Sequence, residues 1–78
     1  MIMLTLYNSS KHVYIDEKRI VKVTDGHDLV GNRSFPWSNV VIFNDDGSEE
    51  PIVVTESARN IGKLISEAIK KRGQTPNG

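Results

Sequence analysis

Apolar and polar residues alternate over the first part of the chain. The residues that share the apolar side of Met1–Tyr7 are Ile2, Leu4 and Leu6. This two-residue period is typical of a strand with one buried face. The alternation returns in Lys11–Asp16, after the turn-forming residues Asn8, Ser9 and Ser10. Met1–Asp16 therefore predicts a β-hairpin, and Ile20–Val23 predicts a third short strand.

A second hairpin is predicted further along the chain. Two β-branched runs, Val40–Phe43 and Ile52–Thr55, flank a loop that contains Asp46-Gly47. Between the third strand and this hairpin, residues 24–38 show neither a helical nor a strand period, and turn-forming residues surround an aromatic pair there. We therefore expect residues 24–38 to form a long loop.

The period changes at Ser57, where a helix is predicted over Ser57–Arg72. Its apolar stripe has the spacing of one helix face and consists of Ile61, Leu64, Ile65, Ala68 and Ile69. Ser57 is a favourable N-cap, and Gly73 suits the position just after the helix. We expect the helix to pack on the strands through four of these residues, namely Ile61, Leu64, Ile65 and Ile69.

The order of elements indicates an α+β fold. Five short antiparallel strands would form a bent sheet or a partly open small barrel, with the C-terminal helix over it. With 78 residues, the chain has room for one domain, predicted over residues 1–73, and residues 74–78 are expected to be a disordered tail. A core of this size and exposed strand edges also favour a homodimer.

Composition narrows the possible functions. The chain has no cysteine, which excludes disulfides, thiolate nucleophiles and cysteine-based zinc sites. His12 and His27 lack the spacing of a zinc site, and no nucleophile or phosphate loop accompanies Asp25–Asp28. The sequence thus predicts a non-enzymatic protein without metal or cofactor. The apolar run at the start spans only six residues, so no membrane span is predicted and a cytoplasmic location is expected.

Several positions resemble the small flagellar and swarming-motility proteins of the FlbD or SwrD family. They are Leu4-Thr5, Asn8, Ile15-Asp16, Ile20, Val23, Val54 and Glu56-Ser57. The resemblance covers nearly the whole chain, although residues 24–39 form a longer connection than the family's short turn. It implies a bacterial, cytoplasmic accessory protein that acts through protein contacts, and it brings no catalytic residue.

The stretch GNRSFPWSN, residues 31–39, is the main candidate for partner binding. Pro36 fixes its own φ and restricts Phe35 to extended conformations, so the rings of Phe35 and Trp37 are displayed on a stiff backbone. Tryptophan and arginine are enriched in binding hot spots, and Arg33 lies beside the two rings. Either the stretch binds a protein partner or it covers a small core. We expect Phe35 to plug the core and Trp37 to remain available.

A small nucleic-acid-binding barrel is the alternative. In this hypothesis the basic end of the helix contacts phosphates while Phe35 and Trp37 stack on bases. The basic residues are Lys63, Lys70, Lys71 and Arg72. Ten basic and ten acidic residues give a formal net charge of zero, which argues against a general attraction to polyanions. A protein partner is therefore the preferred hypothesis, and the sequence does not identify it.

Overall fold

A computed structural model describes residues 1–73 and confirms the predicted class, five antiparallel strands followed by one helix. The elements are β1 (Ile2–Thr5), β2 (His12–Ile15), a short 3₁₀ helix (Glu17–Arg19), β3 (Ile20–Val30), β4 (Arg33–Phe43), β5 (Glu49–Val54) and α1 (Ala58–Gly73). The predicted tail at residues 74–78 lies outside the described residues. Within residues 1–73, no helix has the length and apolar character needed to cross a membrane.

The strands form two antiparallel sheets, β1-β2 and β3-β4-β5. The two sheets meet where Leu6 forms a single bridge with Val54. Around this bridge the Tyr7 amide donates to the Val53 carbonyl at 3.0 Å, and the Thr55 amide donates to the Thr5 carbonyl at 2.9 Å. Neighbouring strands therefore follow the order β2, β1, β5, β4, β3. Within the described residues β2 and β3 do not pair, so the sheet stays open.

The core lies between α1 and one face of these strands. Its buried members are Ile2, Leu4, Ile15, Val40, Val54 and Ile61. The alternation in β1 and the helical stripe predicted most of this packing, since Leu64, Ile65 and Ala68 also contact the core. Ile69 is different, because its side chain is 52% exposed and the prediction that it packs on the strands is wrong. At 3.6 residues per turn it points about 80° away from Ile61, at the margin of the stripe.

Two side chains cap the start of α1. Ser57 Oγ accepts a hydrogen bond from the Asn60 amide at 3.1 Å, as predicted for an N-cap. Asp25 Oδ1, from β3, accepts from the Ala58 amide at 2.8 Å and from Ser38 Oγ at 2.7 Å. The bond from Ser38 and then the bond from Ala58 lower the pKa of the Asp25 carboxyl. The helix therefore begins at a fixed point on β3 and β4.

Glu56 ties the segment before α1 to the first strand. Its Oε1 accepts from the Thr5 amide at 2.9 Å, and its Oε2 accepts from Thr5 Oγ1 at 2.9 Å. Both carboxylate oxygens are thus used on one residue that is far away in sequence. This pairing gives Glu56 a structural role at the junction between β1 and β5.

The prediction of a long loop at residues 24–38 is wrong, because this segment belongs to β3 and β4. Each of these strands has eleven residues, and a two-residue turn, Gly31-Asn32, joins them. Gly31 has φ +64° while Asn32 has negative φ, the pattern of a type II′ hairpin turn. Asp, Gly and Pro have low strand propensity, but regular cross-strand pairing outweighs that preference here.

Candidate functional site

The far end of the β3–β4 hairpin extends beyond the core. We call residues 26–30 together with residues 33–37 the arm. β4 pairs with β5 only from Ser38 to Phe43, so within residues 1–73 the arm strands pair only with each other. The described chain measures 55 × 28 × 20 Å along its principal axes, an elongated outline for so small a protein. The candidate partner-binding residues Arg33, Phe35 and Trp37 all lie on the arm.

Phe35 and Trp37 share one face of β4. Side chains on a strand alternate between faces, and Ser38 and Val40 of β4 are buried toward the core. Phe35 and Trp37 therefore point to the opposite side, which we call the outer face. The side chain of Phe35 is 39% exposed, so the prediction that it plugs the core is wrong. Trp37 is half-buried, but it is covered by the arm itself and not by the core.

The indole of Trp37 lies across Gly26, its direct cross-strand partner. A Cβ atom at Gly26 would be 2.5 Å from Trp37 Cζ2 and closer still to Cη2, which is sterically impossible without movement. Only glycine permits this ring position. An aromatic residue that covers a strand glycine replaces the packing that the glycine lacks. Gly26 therefore fixes where Trp37 is displayed.

Asp28 connects the arm to the rest of the molecule. Its Oδ1 accepts from Trp37 Nε1 and its Oδ2 accepts from the Tyr7 hydroxyl, each at 3.2 Å. Desolvation and then the hydrogen bond to Asp28 raise the pKa of Tyr7. An open cleft of about 260 Å³ lies at this junction, lined by Tyr7, Asn8, Asp28, Trp37 and Val53. The outer face thus combines two aromatic rings with an acceptor carboxylate.

The tip of the arm is apolar and accessible. Leu29 is 71% exposed, and Val30 is also largely exposed beside the turn. Val30 pairs with Arg33, whose side chain is exposed as well. Large apolar side chains that remain outside the core in a small protein indicate contact surfaces when they are contiguous. Val30, Arg33 and Phe35 share the outer face and form such a surface, whereas Leu29, which pairs with Ser34, lies on the opposite face.

The structure separates the basic end of α1 from the arm. α1 begins beside Asp25, and its last turns lie near the first strand, where Lys71 lines a cleft with Met1, Ile2 and Met3. The arm leaves Asp25 toward its tip at Val30. Lys63, Lys70 and Lys71 are exposed, and the side chain of Arg72 is outside the described part of the chain. Lys70 and Lys71, in the last turns of α1, therefore do not share a surface with the two rings of the nucleic-acid hypothesis.

The two histidines, and the acidic residues Asp25 and Asp28 of β3, lie in different environments. His12 Nδ1 lies 3.4 Å from Thr5 Oγ1, whereas His27 is exposed on the arm opposite Pro36. Asp25 and Asp28 point to opposite faces. Asp25 accepts a hydrogen bond from the start of α1, and Asp28 accepts one from Trp37 on the outer face. Among residues 1–73, no three His, Asp or Glu side chains are close enough together to hold a metal ion.

Three of the arm residues were predicted from the sequence, whereas Tyr7, Gly26 and Asp28 were not. The missed indication is Gly31-Asn32, a dipeptide typical of two-residue hairpins. Counting outward from that turn places Gly26 opposite Trp37. Tyr7 has no such local indication, because it reaches Asp28 from the first hairpin. No protein-family model, curated protein or solved structure matches this chain.

Proposed function

We propose that this chain is a non-enzymatic protein-interaction module that binds a protein partner through the outer face of its arm. The observation that carries the proposal is the display of Phe35 beside Trp37 on a hairpin that extends past the core. Trp37 is held by Gly26 and Asp28, so its ring loses little freedom on binding. Arg33 adds a charged group at the rim of this surface.

The resemblance to the FlbD or SwrD family supports a cytoplasmic accessory role, related to motility, for the same module. The connection that is longer than the family's short turn coincides with the arm. We therefore infer that the added length carries partner specificity, while the strands and α1 supply the scaffold. The partner is a protein with an apolar patch that accepts an aromatic side chain.

Comparative affinity capture tests this function. Immobilised wild-type chain and its Phe35→Ala variant are exposed to a lysate of the source cell, with Phe43→Ala as the matched control. Phe43 is the same residue type on the same strand, is 48% exposed, and lies at the opposite end of β4. We expect at least one protein that wild type and Phe43→Ala retain and that Phe35→Ala loses, with binding that persists at raised salt.

Binding of labelled single-stranded and duplex oligonucleotides provides the opposing measurement. Contacts to phosphates weaken steeply with salt, and Lys70→Ala and Lys71→Ala would reduce them. Tight, salt-sensitive oligonucleotide binding that depends on these lysines would contradict the proposal. The absence of any protein that distinguishes wild type from Phe35→Ala would also overturn it.

A further inference from the structure

We propose that two copies of this chain associate through the free edge of β3, so that their three-stranded sheets join into one antiparallel sheet of six strands. The two-fold axis of this dimer passes beside Gly26 of each copy. The inference concerns the strand edge, whereas the proposed partner site lies on the outer face. The two surfaces are independent, and Phe35 and Trp37 remain accessible in the dimer.

Within residues 1–73, the backbone of β3 is unpaired along its free edge. This strand lies at the end of the three-stranded sheet, and within residues 1–73 its backbone pairs only with β4. In a two-residue hairpin, the residues that flank the turn exchange hydrogen bonds, and bonded and non-bonded pairs then alternate. The residues that direct their N–H and C=O groups to the free edge are therefore Val23, Asp25, His27 and Leu29.

The regularly paired stretch of β3 has a length that defines its midpoint. The β3–β4 register shifts between Ile20 and Lys22, and the turn begins after Val30. Regular pairing on β3 thus extends from Lys22 to Val30, and its midpoint is Gly26. When two antiparallel copies of this stretch overlap completely, Gly26 of one copy lies opposite Gly26 of the other. The outward-pointing residues then face one another, as a hydrogen-bonded ladder requires.

The residues that face one another in this register are chemically complementary. Val23 faces the partner's Leu29, and Asp25 faces the partner's His27, and symmetry repeats each pair. Val23 packs against the core, so the partner's exposed Leu29 extends an existing apolar cluster. Asp25 supplies a carboxylate. The partner's His27 opposite it supplies an imidazole that donates a hydrogen bond or carries a positive charge. Cross-strand pairs of both kinds stabilise antiparallel sheets.

Neighbouring registers are less favourable. Centring the pair on Asp25 places two like carboxylates opposite each other. Centring it on His27 places Leu29 opposite the partner's Asp25. Only the register centred on Gly26 combines full overlap with complementary pairs. The helices do not obstruct it, because each α1 begins beside Asp25 and runs away from the arm toward the first strand of its own copy.

Sedimentation of the wild-type chain over a range of concentrations tests the association. We expect a reversible dimer that Leu29→Asp weakens by more than about tenfold, because symmetry applies the substitution twice and brings it beside Asp25 and Val23. The matched control is Val21→Asp, an exposed apolar residue of the same strand outside the regular stretch. A wild-type monomer at high micromolar concentration would overturn the proposal. Equal effects of Leu29→Asp and Val21→Asp would also overturn it.

Engineered cysteines test the register without disturbing the core. The chain has no cysteine, and Lys22 faces the partner's Val30 as a non-hydrogen-bonded pair. In such pairs the Cα atoms lie about 4.5 Å apart, within the range of a disulfide of about 4.4–6.8 Å. We expect an oxidised mixture of Lys22→Cys and Val30→Cys chains to yield the mixed dimer preferentially. Preferential Lys22→Cys or Val30→Cys homodimers would contradict the register. Neither outcome affects the affinity capture that depends on Phe35.

Discussion

The core end of the molecule and the arm are held together in different ways. At the core end, α1 and the strands bury a continuous apolar cluster that includes Leu4, Val40 and Ile61. In the described part of the chain, the arm has two strands without a covering helix, and its specific contacts include those of Trp37 with Gly26 and of Asp28 with Trp37 and Tyr7. Two-stranded ribbons are marginally stable by themselves. The core therefore provides most of the stability. The arm adds little to it and instead displays accessible side chains.

The size of an aromatic side chain is a poor guide to its burial in this chain. The two rings of the arm are larger than any side chain of the buried cluster, yet they lie outside it. Burial follows the face on which the register places a residue. Phe35 and Trp37 occupy the face opposite Val40, so no rearrangement of side chains alone would bring them into the core.

The largest expected difference between the two regions is in how much free energy of unfolding is lost when a side chain is replaced by alanine. Ile61→Ala removes a fully buried side chain from the core, and we expect it to lower the free energy of unfolding by about 2–5 kcal/mol. Phe35→Ala acts on the arm, and a loss of about 1 kcal/mol or less is expected, on the scale of strand propensity. Urea unfolding of dilute protein measures both changes. Similar losses for the two variants would show that the arm is part of the cooperative core.

The next effect concerns the contact that shapes the arm. Gly26→Ala forces the Trp37 indole to move, and we expect a loss of about 1–3 kcal/mol, typical of overpacking. The emission of Trp37, the only tryptophan, should shift to the red as its ring becomes more exposed. In a Trp37→Ala background the same glycine substitution should cost much less, because the obstructing ring is absent. Equal costs in both backgrounds would contradict the stacked arrangement.

The smallest effect is a pH dependence at the junction between the regions. The hydrogen bonds from Ser38 and then from Ala58 lower the pKa of the Asp25 carboxyl below its ordinary value. A carboxyl with a lowered folded pKa stabilises the fold above its unfolded pKa, and this stabilisation is lost as the pH falls through the folded pKa. Asp25→Asn should therefore flatten the decline of stability below about pH 4. Ser38→Ala, which removes one of the two donors, should flatten it less.

If Asp25→Asn left the decline of stability at low pH unchanged, this carboxylate would not be part of the cap of α1. The variant also gives a structural readout, since the Ala58 amide should exchange faster with solvent when its acceptor is weakened. Amides in the middle of α1 serve as the internal reference. The measurement separates a local effect at the helix start from a general loss of stability.

The sequence predicted the core end well because its patterns are local. Alternation identified Ile2 and Leu4 as buried, and the stripe from Ile61 to Ala68 identified the packed face of α1. Ser57 was predicted as the cap from its position just before that stripe. Ile69 was placed incorrectly, because a stripe indicates the direction of a side chain and does not indicate how far the sheet extends beneath it.

The arm was not predicted, because its residues form a strand only through their partners. Asp25, Gly26 and Pro36 individually disfavour strands, and the register across Gly31-Asn32 overrides that preference.

By itself the sequence determined the fold class, the order of strands and helix along the chain, and most residues of the core, since these follow from periods that neighbouring residues define. Only the tertiary structure decided the display of Phe35, the position of Trp37 over Gly26, and the cap that Asp25 gives to α1. The last of these joins residues 33 positions apart. Such contacts depend on the register and on the meeting of distant segments, which no local period encodes.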